Sequence, residues 1–209
     1  DAVHAENGDM MFFIAGPEKI AATAMGQLRL EIARIKGLLD PNRREFVWIT
    51  EFPMFEYSET EGRYMAMHHP FTSPMPEHLD MMLSGNLKDC KAQAYDLVLN
   101  GVEIGGGSIR IHNPEVQEKV FRLLGLTEEQ VQEKFGFFVD AFKFGAPPHG
   151  GLAFGLDRIV ATMEGQESIR DFIAFPKNTS ASSPMDQSPS EVDLQQLQDI
   201  HISVNLGKK

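Results

Sequence analysis

Asp96, Glu103 and Arg110 fall within one short stretch that also carries Asn100-Gly101 and the run Gly105-Gly106-Gly107-Ser108. An Asn-Gly pair between apolar runs is among the strongest two-residue hairpin signals. Paired across that turn, Leu99 faces Val102, Val98 faces Glu103, Leu97 faces Ile104 and Asp96 faces Gly105. Residues opposite each other share a face, so Leu97, Leu99, Val102 and Ile104 form an apolar side. Asp96 and Glu103 stand diagonally on the other, within the ~7–8 Å at which two carboxylates can hold one cation. The plain alternative is two solvated acids on an outer sheet face. The glycines weigh against it, because bare backbone inside a strand weakens the sheet and is tolerated where a bulge or a ligand needs close approach. Strict alternation turns Arg110 away from Glu103, and one bulge within the glycines returns it to the same face. Two acids, bare backbone and an arginine on one floor suit an anionic ligand bound with Mg2+.

A second constellation is Pro147-Pro148-His149-Gly150-Gly151 followed by Gly155-Leu156-Asp157-Arg158. Gly-x-x-Arg at a strand-to-helix junction sets a planar cation beside helix-start N–H groups, which suits phosphate. An arginine in a first helical turn is also an ordinary solvated residue. His68, His69, His112 and His149 raise the possibility of a zinc hydrolase, but none pairs with another at i and i+4 on a helix. Phe135, Phe137, Phe138, Phe142 and Phe144 read as core, and Cys90 as an inert thiol.

The elements that must position these residues follow from pattern and punctuation. Residues 9–15 (DMMFFIA) read as a buried strand, stopped by Gly16-Pro17, which opens a helix to about Leu39 with Ile20, Leu28, Ile32 and Ile35 as a core-facing stripe. Residues 45–57 and 63–68 read as two antiparallel strands about a polar turn, and 71–85 as a loop with at most a short helix. The hairpin occupies 95–111. Asn113-Pro114 opens a helix to about Leu124, and Thr127-Glu128-Glu129-Gln130 is a capping box opening another to about Phe144, closed by Gly145. Residues 152–155 form a short strand, a helix starts at Asp157, 171–175 is a last buried strand, and a terminal helix spans 192–200 beyond a Ser/Pro-rich connector. Hairpins interleaved with helices, without regular strand-helix alternation, predict an α+β fold: an antiparallel sheet flanked by helices.

Composition bounds the function. The 209 residues are 42% hydrophobic with 15 Phe and 11 Met, enough for a packed core. No apolar run approaches the ~18 residues of a membrane helix, so the expectation is a soluble chain with no membrane partner. One cysteine excludes an internal disulfide and fits a reducing, cytoplasmic setting. A net charge of −11 excludes a large basic nucleic-acid platform while leaving room for a local cationic pocket. The start at Asp1-Ala2-Val3, without Met or a signal-like segment, reads as a piece of something longer.

Three stretches, in order, resemble the bacterial-type aspartyl-tRNA synthetases of class II: Met67-His68-His69-Pro70-Phe71-Thr72, the hairpin from Tyr95 to His112, and Gly155-Leu156-Asp157-Arg158, which resembles class II motif 3. The likeness runs end to end, through Ile173-Ala174-Phe175-Pro176, and the glycine run is its discriminating part. It implies a partial class II catalytic core and ligation of L-aspartate to tRNA(Asp) through aspartyl-adenylate, in an enzyme expected to be a homodimer. On this sequence it implies that Asp96 and Glu103 hold Mg2+ on ATP. Arg158 would bind ATP phosphate, with Gly155, Leu156, Asp157 and Glu103 completing the ATP site, and Arg110 would grip the substrate side-chain carboxylate. His69 and Ser108 would line the aspartate pocket. Arg110 and Arg158 are thus the expected catalytic cations. Residues 1–41 would be the tail of an inserted domain with its return helix, 42–177 the C-terminal part of the catalytic core, and 178–209 an extension.

No counterpart of the family's anticodon-binding barrel, motif 1 or motif 2 is present in these residues, so the chain by itself is expected to be inactive. Two other readings stand beside this one: a tRNA-independent, asparagine-synthetase-like enzyme that activates aspartate with ATP, and a non-catalytic ATP-binding piece.

Overall fold

The computed structural model describes residues 4–205, and it divides into two compact units, one ending at Arg44 and the other beginning at Glu45. Residues 1–3 and 206–209, the outer ends of the expected inserted-domain tail and of the expected C-terminal extension, lie outside the described residues.

The first unit holds one helix, α1 (Glu18–Ile35), opened by Pro17 and followed by Gly37 at φ +63°. It buries no residue, and Ile20 and Ile35 stand about two-thirds exposed. The stripe expected to face a core therefore has none within this unit. Residues 9–15 are not a strand. A strand needs a neighbour to take its backbone hydrogen bonds, and no strand is described in this unit.

The second unit carries the predicted antiparallel α+β arrangement. Four strands, β1 (Phe46–Thr50), β4 (Ala94–Leu99), β5 (Val102–Ile109) and β6 (Gly150–Phe154), form one sheet in the order β1-β4-β5-β6, every pair antiparallel. A separate hairpin pairs β2 (Phe55–Ser58) with β3 (Arg63–Ala66). The single strand expected over 45–57 is thus two. Glu51 adopts φ +58° and Pro53 lacks an amide donor, so the chain turns out of one sheet before entering the other. At 171–175 the expected strand is replaced by turns, with the amides of Phe172 and Ile173 both bonded to the Ile169 carbonyl.

Helix ends follow the sequence closely. Asn113 caps α3 (Pro114–Leu123) by accepting from the amides of Glu115 and Val116, and Thr127 and Gln130 form the reciprocal capping box of α4 (Glu128–Ala141). A 3-10 turn over Phe142–Phe144 then runs into Gly145 at φ +90°. Short α2 (Leu79–Leu83), α5 (Leu156–Met163) and α6 (Leu194–Asp199) complete the set.

Met82, Val120 and Cys90 are fully buried in a core with Met54, Phe55, Ala94 and Ile111. Burial pushes the Cys90 thiol up to about 11, as an inert thiol requires. Phe71 packs against Phe121, Phe135 and Phe138, and Phe138 against Phe142. Phe137 and Phe144 do not share that core, being 81% and 92% exposed. Spacing of three and four places 135, 138 and 142 on one helical face, and Phe137 falls opposite. On the sheet face away from Asp96, the Trp48 ring meets Tyr95 edge-on at 6.2 Å, and the Tyr95 hydroxyl donates to the Gly151 carbonyl at 3.1 Å.

In the glycine run, a Cβ added at Gly105, Gly106 or Gly107 would meet atoms of a neighbouring strand. A Cβ at Gly107 would overlap the Gly151 carbonyl, which is backbone, whereas a Cβ at Gly106 would overlap only the Asp96 carboxylate, which can swing. Gly107→Ala is expected to lower stability by about 1–3 kcal/mol, the usual cost of forced overpacking, and Gly106→Ala by less. Urea unfolding of both variants checks the order.

Candidate active site

The Asn100-Gly101 turn has φ of +50° and +85°, the double left-handed geometry that matches strand twist. It pairs Leu99 with Val102 and Val98 with Glu103, as expected. Beyond that the register departs from the sequence reading: Leu97 pairs with Gly105 and Asp96 with Gly106, leaving Ile104 unmatched. The bulge therefore sits just before the glycines. Ile104 is buried and anchored there, while Gly105 to Gly107 pair in unbroken register with both β4 and β6. The glycines serve close approach and not irregularity.

That one unmatched residue sets the parity of everything downstream. Asp96, Gly106, Ser108 and Arg110 line one cavity of about 420 Å3 together with Glu103, His68, His69 and Thr72. Ser108 lies opposite Ala94 and is nearly buried, with its hydroxyl 3.5 Å from that of Thr72. Arg110 is fixed by its backbone: its amide donates to the His149 carbonyl, and it bridges to Thr72. A second cavity of about 340 Å3 shares Glu103 and Ala153 with the first and is lined by Gly155, Asp157 and Arg158. Here β6 runs into α5 with Gly155 at the cap, and the Arg158 Nη1 donates to the Glu103 carbonyl at 2.7 Å, 3.5 Å from its carboxylate. Leu156 lines neither cavity and stands exposed.

The electrostatics are those of a crowded acid pair beside a cation. Burial first, then the Glu103 charge, raises the Asp96 carboxyl above the usual range, and His68 pulls it partly back. His69 is lowered by desolvation and by the Arg110 charge. Its Nδ1 accepts from the Phe71 amide at 3.3 Å, so the neutral ring carries its proton on Nε2. Among the described residues, no group of three or more His, Cys, Asp or Glu is placed to hold a metal. Asp96 and Glu103 thus offer two carboxylates only, a donor set for an ion that keeps water and ligand oxygens, as Mg2+ does.

The sequence reading gave no role to His68 or Thr72, although both lie in its quoted motif Met67 to Thr72. Only the folded position of that segment beside β5 reveals them. Another cleft, of about 280 Å3 between α3 and α4, mixes apolar side chains such as Phe121, Leu126 and Val131 with polar and charged ones, and its Arg122 pairs with Glu118 and Glu128.

The family model for class II tRNA synthetases (D, K and N) matches residues 17–179. The chain is 54% identical over 200 residues to the aspartate–tRNA ligase of Ruminiclostridium cellulolyticum, covering 96% of this chain and 34% of that protein. It is 51% identical over 201 residues to the aspartate–tRNA(Asp/Asn) ligase of Halothermothrix orenii, again covering 96% and 34%. It therefore spans about a third of the length of these relatives. In fold it is similar to the aspartyl tRNA synthetase of Entamoeba histolytica, at TM-score 0.51 and 22% identity over 85% of this chain and 30% of that one.

Because the folded state raises the Asp96 pKa, it holds that proton to higher pH than the unfolded chain does. Stability is then lost as pH rises from the ordinary aspartate value, ~3.9, through the folded one. Asp96→Asn is expected to melt higher than the unsubstituted chain at pH 7.5 without divalent ions, and to lose that advantage near pH 3. Equal melting at both pH values would show that neither burial nor the Glu103 charge raises the Asp96 carboxyl.

Proposed function

Because the chain belongs to the class II tRNA synthetases of the D, K and N group, we propose that it is the C-terminal core portion of an aspartate–tRNA ligase. That enzyme activates L-aspartate with ATP to aspartyl-adenylate and passes the aspartyl group to tRNA(Asp), in the cytoplasm and as a homodimer. The observation that carries this reading is the shared floor. Arg110 and Ser108 line the same cavity as Asp96 and Glu103, and Glu103 also borders the cavity of Arg158.

In the reaction, an oxygen of the aspartate α-carboxylate bonds to the α-phosphorus of ATP as the bond to pyrophosphate breaks. Two anions must meet, so fixed cations are needed where charge develops. Arg110 supplies a planar fork for the side-chain carboxylate of the substrate, which separates aspartate from its amide because the amide would leave the guanidinium unpaired. Neutral His69 offers an Nε2–H donor and Ser108 a hydroxyl on the same wall. Arg158 faces ATP phosphate, Gly155 leaves room for the adenosine, and Leu156 and Asp157 complete the motif that starts α5. Asp96 and Glu103 would hold Mg2+, which when bound neutralises phosphate charge; a cation there would also offset the burial and the Glu103 charge that raise the Asp96 carboxyl. The same reading assigns residues 1–41 to an inserted-domain tail and return helix, 42–177 to the core and 178–209 to an extension.

The test is a chimera in which this chain replaces the matching third of the Ruminiclostridium cellulolyticum ligase, assayed by aspartate-dependent ATP–pyrophosphate exchange. Exchange well above background is expected, with little from the chain alone. Within the chimera, Arg110→Lys is expected to lower kcat/KM for aspartate by about 10²-fold or more, in line with the ~3–5 kcal/mol cost of a broken buried pair. KM for ATP should change far less. Equal losses for both substrates would remove Arg110 from the aspartate pocket.

A further inference from the structure

Gln117 is the one fully buried polar side chain among the largest buried groups, 1% exposed on α3. Its Nε2 donates to the Pro70 carbonyl at 2.8 Å, across 47 residues of sequence, and its Oε1 has no hydrogen-bond partner among the described residues. A buried amide that leaves its own oxygen unsatisfied is costly to keep, so what its nitrogen holds matters. It holds one end of a single peptide group. The carbonyl of Pro70 and the amide of Phe71 are the two ends of one planar unit, and the Phe71 amide donates to His69 Nδ1 at 3.3 Å. Turning that plane at the Pro70 end turns it at the His69 end.

The surroundings hold the same segment by other means. The Ile111 amide donates to the Phe71 carbonyl at 2.9 Å, Thr72 bridges to Arg110, and the His69 and Phe71 rings stack at 4.9 Å. The Thr72 amide also donates to the His69 carbonyl at 3.0 Å, closing a turn around Pro70 and Phe71, and within that turn Gln117 is the side chain that holds the Pro70 carbonyl end of the central peptide. From this geometry we infer that Gln117 is a positioning residue: by clamping the Pro70–Phe71 peptide it keeps His69 Nδ1 occupied and so directs the ring Nε2–H into the ligand cavity. The inference deepens the proposed function, because it rests on His69 being a wall of that site.

The test is NMR on the chain itself, with no ligand present. Gln117→Met keeps the volume and removes both the amide donor and the unsatisfied oxygen, so the variant is expected to melt within a few degrees of the unsubstituted chain. Its Phe71 amide should exchange at least about tenfold faster, and the His69 Nδ1 resonance should move toward that of a ring nitrogen without a donor. A folded variant in which both signals stay put overturns the inference and leaves Gln117 a packing residue. Should Gln117→Met fail to fold, Gln117→Asn, which keeps the amide but falls one methylene short, is read by the same two signals. Neither signal depends on aspartate or ATP. Loss of exchange in the chimera with the His69 signature intact would therefore count against the proposed function alone.

Discussion

Backbone passing backbone at Gly107 and Gly151 is the constraint on which the rest of the sheet depends. In an ordinary ladder side chains stand clear of the neighbouring backbone, but here the space where a Gly107 Cβ would stand is already taken by the facing carbonyl. Only that approach lets β6 lie along the glycine run, with Phe154 over Gly105. Because β6 leads straight into α5, its docking also delivers Gly155 and Arg158 to the edge of the floor that Asp96 and Arg110 share. The glycine stretch of β5 thus borders both the cavity of Arg110 and the cavity of Arg158.

Glu103 occupies the junction. Its carboxylate lies on the Asp96 side, its carbonyl is taken by Arg158, and it borders both cavities. The bulge at Ile104 makes this double role possible, because an unmatched residue loosens the ladder where the Glu103 carbonyl turns toward a side chain. One residue thus borders both cavities, with its carbonyl bonded to Arg158 and its carboxylate within 3.5 Å of the same guanidinium.

Much of this was legible in the sequence, and the failures have physical causes. Asn100-Gly101, the Thr127 capping box and Asn113-Pro114 act through local backbone chemistry, so residue type alone locates them. The parity of Arg110 was legible as a need for one bulge, but its place was not. Glycine is the usual suspect for irregular backbone, yet a buried Ile104 took that role because the glycines were committed to close packing on both sides. Residues 9–15 and 171–175 are apolar enough for strands, but apolarity does not supply a partner edge. Gln117 carried no signal, since a glutamine in an amphipathic helix reads as solvated until its partner 47 residues away is known.

The indole of Trp48 has a practical consequence. It is the single tryptophan of the sequence, half exposed on an edge strand, and it touches Tyr95, whose hydroxyl is bonded to Gly151 on the far side of β5. One chromophore is therefore wired across β1, β4 and β6, on the face turned away from Asp96. Its emission colour and its energy transfer from Tyr95 report the integrity of the glycine-lined seam as an optical signal, read from the face opposite Asp96.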